Sequence, residues 1–151
     1  MTSLKSMVKK KQDDLQENSS NTIDRSAIGK RNKNRGKKYE LKIIKELKEL
    51  TGDNDLCSSR SESKKLDDMK IDIADTNNTL PCYIQCKATQ ATPNIHKICQ
   101  EVGKTDKPLV IVWGKQEMRN SNQITVGEYC LMPKNFFYEL IKDDRKSSSN
   151  S

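Results

Sequence analysis

Met69-Lys70-Ile71-Asp72-Ile73-Ala74-Asp75 is followed, after Thr76-Asn77-Asn78-Thr79, by Leu80-Pro81-Cys82-Tyr83-Ile84-Gln85-Cys86-Lys87-Ala88-Thr89. Apolar and polar residues alternate in both runs. They predict strands over residues 69–75 and 80–89, and the four polar residues between them suit a hairpin turn. Side chains alternate across a strand, so Lys70, Asp72 and Ala74 share one face while Met69, Ile71 and Ile73 share the other. On the second run Tyr83, Gln85 and Lys87 lie opposite Cys82, Ile84, Cys86 and Ala88. One face of the pair is apolar. The other gathers a carboxylate, an amide and an ammonium, which core packing does not require.

Before this pair, Ile43, Ile44, Leu47 and Leu50 recur at helical spacing and predict a helix over residues 34–50, stopped by Gly52. Residues 51–65 are Ser-rich and read as an irregular loop. After the pair, Thr92-Pro93 suits an N-cap and first helical position, with Ile95, Ile98, Cys99 and Val102 on one face and Gly103 as the stop. Residues 109–113 form a continuous apolar run, as a buried strand does. Residues 123–132 read as a further strand, and Pro133 opens a last helix with Phe136, Phe137, Leu140 and Ile141. The order α-β-β-α-β-β-α predicts an α/β fold, a mixed β-sheet flanked by helices.

The chain has 151 residues and only 32% are hydrophobic, against 32% charged. Mean hydropathy is -0.91. That is poor in apolar material for a chain folded throughout. A disordered basic arm is expected over residues 1–28, a folded domain over 29–141 and a disordered tail over 142–151. With 28 Lys+Arg against 21 Asp+Glu the net charge is +7, which suits polyanions, nucleic acid first among them. No apolar run is long enough to span a bilayer, so no membrane partner is expected. The opening residues lack the apolar core of a secretory signal. Five cysteines without CxxC spacing argue against a disulfide framework. These features lead to an intracellular, cytoplasmic expectation.

The polar face of the strand pair suits phosphodiester hydrolysis. A carboxylate and a carbonyl oxygen can hold Mg²⁺, which prefers hard oxygen ligands. The ion polarises the phosphate, lowers the pKa of water and neutralises the leaving oxygen, while a lysine steadies the growing charge. The plain alternative is a solvated face on which Asp72 and Lys87 pair across strands. Glu40 weighs against it. Ile43, Ile44 and Leu47 follow it by three, four and seven residues, so it stands in line with the buried stripe. An inward carboxylate needs a partner, either a metal or Lys87; the alternative is a first-turn glutamate on the helix dipole.

Gly36-Lys37-Lys38-Tyr39-Glu40, Ser58-Ser59-Arg60-Ser61, Ile71-Asp72-Ile73-Ala74 and Ile84-Gln85-Cys86-Lys87, in this order, resemble the PD-(D/E)XK nucleases, and among them the archaeal Holliday junction resolvases and their phage relatives. The resemblance runs from residue 35 to residue 89, with a looser echo to Trp113. It implies a restriction-endonuclease-like fold, a homodimer, and cleavage of branched DNA, above all four-way junctions, with Mg²⁺ or Mn²⁺. By this resemblance Glu40, Asp72, Gln85 and Lys87 are catalytic. Asp72 is the central metal ligand, with Gln85, the Cys86 carbonyl and Glu40 as the others. Ser59 or Ser61 with Arg60 reach the DNA phosphate, and a phage or other viral origin fits the pattern. Gln85 stands where the family's usual glutamate would. It keeps the oxygen and loses the charge, which leaves one fewer negative ligand.

Lys30-Arg31-Asn32-Lys33-Asn34-Arg35-Gly36-Lys37-Lys38 holds six basic residues and no acid. Arg35, Lys37 and Lys38 are candidate phosphate contacts, the alternatives being a solvated helix start or, for Arg35, an ion pair. Cys82, Cys86, His96 and Cys99 superficially suggest zinc, but the three cysteines lie on apolar stripes as core residues do, and His96 only neighbours such a stripe. Asp67 and Asp68 read as solvated turn residues. Two further functions stay open: another nuclease of the same fold, exonuclease or restriction-like, and an inactive DNA-binding or virion-associated protein on the same scaffold.

Overall fold

Asp24 opens the first helix by accepting the backbone N–H groups of Ser26 (3.1 Å) and Ala27 (3.2 Å), as an N-cap does. The computed structural model describes residues 24–149, and helix α1 spans Arg25–Thr51. The apolar stripe marks only its second half. The first half is polar and unbroken by proline, so helix extends back to the cap. Gly52, at φ +75°, closes α1 by donating its N–H to Lys48 O at 2.9 Å.

The chain divides into two units, Met1–Lys33 and Asn34–Ser151. In the first, residues 25–33 are helical, so the end of the expected arm is ordered. Residues 1–23 lie outside the described residues. The second unit holds the rest of α1 and every later element.

The segment read as irregular holds three short elements, β1 (Cys57–Ser58), α2 (Ser59–Glu62) and α3 (Lys64–Asp68). The Ser63 side chain caps α3 by accepting Leu66 N–H, a local bond that lets serine start a helix without an apolar stripe.

The expected hairpin is not a regular one. Strand β2 is only Ile73–Ala74 and pairs antiparallel with β1, Cys57 against Ala74 and Ser58 against Ile73. Lys70 has φ +62°, outside the extended region, so it does not share a strand face with Asp72. A backbone bond from Asp72 N–H to Ile84 O (3.0 Å) still joins the two runs.

Strand β3 (Tyr83–Thr89) pairs parallel with β4 (Leu109–Arg119), Gln85 against Ile111 and Lys87 against Trp113. Parallel neighbours need a crossover, and α4 (Ile95–Val102) lies within it. Its cap is Asn94, whose side chain accepts Lys97 N–H, two residues beyond the expected Thr92. Gly103 ends it as expected. Strand β5 (Asn122–Leu131) pairs antiparallel with β4 through Asn120-Ser121, both at left-handed φ, as a two-residue hairpin turn requires.

The last helix, α5, runs Lys134–Ser149, past the end expected at Ile141. Ser148 and Ser149 donate their hydroxyls to the Asp144 and Arg145 carbonyls one turn back, so the polar tail continues the helix. Phe136 is buried, whereas Phe137, Leu140 and Ile141 are exposed.

The described residues thus form a mixed α/β fold of five helices and two small sheets, β1-β2 and β3-β4-β5. One core cluster joins Tyr39, Ile43 and Ile44 of α1 to Leu56, Ile73, Leu80 and Ile84, with Cys82, Cys86 and Ala88 against it. A second joins Ile71, Val102 and Leu109, with Tyr83, Ile98 and Cys99 against it. The alternation expected on β3 is therefore present, with Cys82, Ile84, Cys86 and Ala88 toward one core and Tyr83 toward the other. No described helix is long and apolar enough to cross a membrane.

Candidate active site

Glu40 owes its position to the residue before it. Tyr39 is buried against Gly114 of β4, where a Cβ would come within 2.8 Å of the Tyr39 ring. Only a glycine lets the ring lie so close to the strand. Glu40, on the next helical position, is 4% exposed. It sits in the middle of α1, which removes the helix-dipole explanation for its charge. Its partners are polar side chains. The Ser58 hydroxyl donates to Oε1, and Arg60 Nη2 stands 3.9 Å from Oε2.

Asp72 immediately precedes β2. Its carbonyl accepts Ser59 N–H (2.9 Å), its N–H goes to Ile84 O, and its carboxylate Oδ2 accepts Cys86 N–H at 2.7 Å. Two segments, the start of α2 and strand β3, therefore fix it. Burial raises the Asp72 pKa above the ordinary carboxylate value, and the negative charge of Glu40 adds to this. The Cys86 N–H, Lys87 and Arg60 act in the opposite sense. Burial also raises the Cys86 thiol pKa, with Asp72 and Glu40 adding and Lys87 opposing. Glu40, Asp72 and Lys87 thus share one electrostatic neighbourhood around Cys86. Arg60 acts on Asp72 within it.

Gln85 and Lys87 are two residues apart on β3 and so on one face. Gln85 is 5% exposed, and its Oε1 is buried without a hydrogen-bond partner. A buried amide oxygen left alone is costly, and an unused hard oxygen is the donor that Mg²⁺ takes. Among the described residues no three His, Cys, Asp or Glu side chains cluster as a metal cage. Any divalent ion here would therefore rest on few protein oxygens and complete its shell with water and phosphate, as Mg²⁺ commonly does. Asp72 and Gln85 fit that donor chemistry. Glu40 fits it less directly, since its oxygens already face Ser58 and Arg60.

A pocket of about 280 Å³ is lined by Lys37, Glu40, Leu41, Ser58, Arg60 and Ser61. It joins two cations above the buried Glu40 carboxylate, a pair suited to a phosphate; the two serine hydroxyls beside them already donate, Ser58 to Glu40 and Ser61 to Ser58 O at 2.8 Å. Four of the expected residues, Lys37, Glu40, Arg60 and Ser61, line it together. Ser59 does not. It is fully buried and its hydroxyl has no partner, because it faces the core as α2 begins. Its part is structural, through the bond from its N–H to Asp72 O. Lys38 is exposed and Arg35 half-buried, and neither lines the pocket.

Two residues carry roles that sequence reasoning missed. Ser58 holds Glu40, and Asp67 stands 3.7 Å from Arg60 Nε instead of being free in a turn. Both roles depend on the short helices α2 and α3, which have no periodic signature. The chain matches no family model, no curated protein and no solved structure.

Proposed function

We infer that this chain is a metal-dependent DNA endonuclease on a restriction-endonuclease-like scaffold, acting on branched DNA and most readily on four-way junctions. The observation that carries the reading is the Asp72 carboxylate held at 2.7 Å on Cys86 N–H, between Gln85, whose buried Oε1 has no partner, and Lys87. Glu40 and Arg60, 3.9 Å apart, act on Asp72 by charge. A surface of unrelated charges gives no reason to bury Glu40 and Gln85 beside such a group.

In this reading Asp72, Gln85 and the Cys86 carbonyl hold Mg²⁺ or Mn²⁺. When bound, the ion supplies Lewis-acid polarisation of the phosphate and stabilises the leaving oxygen. Lys37 and Arg60 bind the DNA phosphate, while the Ser58 hydroxyl stays on Glu40 and the Ser61 hydroxyl on the Ser58 carbonyl. Lys87 Nζ donates to the attacking water or to a non-bridging oxygen, offsetting the charge that grows on phosphorus. Glu40, oriented by Ser58, is a proton acceptor for that water. The basic residues of α1 track the backbone without reading bases. A homodimer, implied by the resemblance, would place two such centres for paired nicks.

The test is incubation with a synthetic four-way junction, linear duplex, flap and single strand, with Mg²⁺ and with EDTA. Mg²⁺-dependent nicking that favours the junction and is lost in Asp72→Ala is expected. Cleavage that persists in EDTA or in Asp72→Ala would remove the chemistry, and equal rates on all four substrates would remove the resolvase. Gln85, with its missing charge, favours one second reading, a DNA-binding protein without turnover. Tight junction binding with no cleavage in either metal would select it.

A further inference from the structure

Arg60 is half exposed, with 52% of its side chain accessible, and a free arginine of that kind samples many rotamers. Here it stands between two carboxylates. Nε lies 3.7 Å from Asp67 Oδ1 and Nη2 lies 3.9 Å from Glu40 Oε2. Both distances exceed a hydrogen bond, so the guanidinium is held by charge without being saturated. The Asp67 backbone is fixed, while its carboxylate is half exposed. Its N–H bonds Ser63 O (3.1 Å), and its carbonyl accepts Lys70 N–H (3.0 Å). Arg60 meanwhile lines the pocket with Lys37, Ser58 and Ser61.

We propose that Asp67 is a positioning residue that holds Arg60 by its Nε edge, so that the terminal nitrogens face a DNA phosphate entering the pocket. The proposal rests on the nuclease reading for the identity of the phosphate. It adds a residue that never touches DNA. Arginine binds phosphate best with two nitrogens in a fixed fork, and Asp67 supplies the fixing from outside the pocket. Glu40 holds the other end loosely and yields Nη2 when a phosphate arrives.

Charge alone predicts the opposite effect for Asp67. Removing an acid from a DNA-binding surface strengthens binding everywhere. The two accounts are separated by a double-mutant cycle in the full chain with Asp67→Asn, Arg60→Ala and both together. The probe is a fluorescent four-way junction, and Kd is measured in EDTA so that no turnover is needed. Asp67→Asn should raise Kd about 3-fold when Arg60 is present and lower it slightly in the Arg60→Ala background. Asp67→Glu should retain most of the wild-type affinity. Thermal melting of each variant checks the fold, and this exposed substitution should leave it within a degree or so. Equal tightening in both backgrounds, with Mg²⁺-dependent nicking intact, overturns the proposal and leaves the nuclease reading standing. Absence of DNA binding by the wild-type chain overturns both.

Discussion

The N–H of Cys86 donates to Asp72 Oδ2 at 2.7 Å, tying the carboxylate to the middle of β3 while burial works against its charge. That bond positions Asp72 beside the Gln85-Cys86-Lys87 segment without a β-ladder between the two runs. It also exposes a conflict between stability and function.

The raised Asp72 pKa means that the native state holds this proton more tightly than the unfolded chain does. Its contribution to stability is complete below the ordinary carboxylate value and is lost as pH rises through the raised one. Metal-free Asp72→Asn should therefore be more stable than wild type at pH 7, with a higher Tm. The difference should vanish in acid. Divalent-ion binding should fall by at least about 100-fold in the variant, because the asparagine lacks the charge. Melting curves at pH 4 and 7, with ion titration, check this. A destabilised variant at neutral pH would contradict it.

Gly114→Ala should displace the Tyr39 ring, since the new Cβ would meet it at 2.8 Å. Tyr39 is buried and cannot simply swing to solvent, so overpacking should cost about 1–3 kcal/mol. Glu40 should move with it, and nicking should fall further than stability does. Urea unfolding beside single-turnover cleavage measures both. A variant of normal stability and activity would show that the ring does not set Glu40.

Ser58→Ala leaves Glu40 Oε1 buried without its donor. A cost of about 1–3 kcal/mol is expected, partly relieved as Arg60 closes on the carboxylate. Ser59→Ala removes only an unpaired hydroxyl and should be neutral or slightly stabilising. Chemical denaturation of the two variants side by side checks the assignment of serines. Equal losses would mean that Ser58 does no more for Glu40 than Ser59.

Much of this is legible in the sequence because it follows periodicity. The stripe through Ile43 and Ile44 places Glu40 inward, and alternation on β3 separates Gln85 and Lys87 from Ile84 and Cys86. The failures have physical causes. A polar helix carries no apolar stripe, so the first turns of α1 and the last turns of α5 leave no periodic signal. Lys70 breaks the expected strand through a left-handed φ, a tertiary choice that alternation does not encode. The serines in and around α2 leave no periodic signal, so which of them faces the core and which the pocket depends on a one-residue register.

DNA affinity should fall with salt, with log Kd rising linearly against log salt. Lys37→Ala and Arg60→Ala should each lower that slope by about 0.9 if each neutralises one phosphate. Lys45→Ala, on an exposed residue paired with Glu49 and outside the pocket lining, should leave it unchanged. Fluorescence anisotropy over a salt series reads the slopes. Equal slopes for all three variants would place the phosphate elsewhere.

On the nuclease reading, Asp72 and Gln85 share a divalent ion beside Cys86. Crystals soaked in Mn²⁺ and measured at an anomalous wavelength test it most directly. A peak about 2.1 Å from an Asp72 oxygen and from Gln85 Oε1 is expected. A map without that peak, with Gln85 Oε1 bonded to a neighbouring protein group, would contradict it.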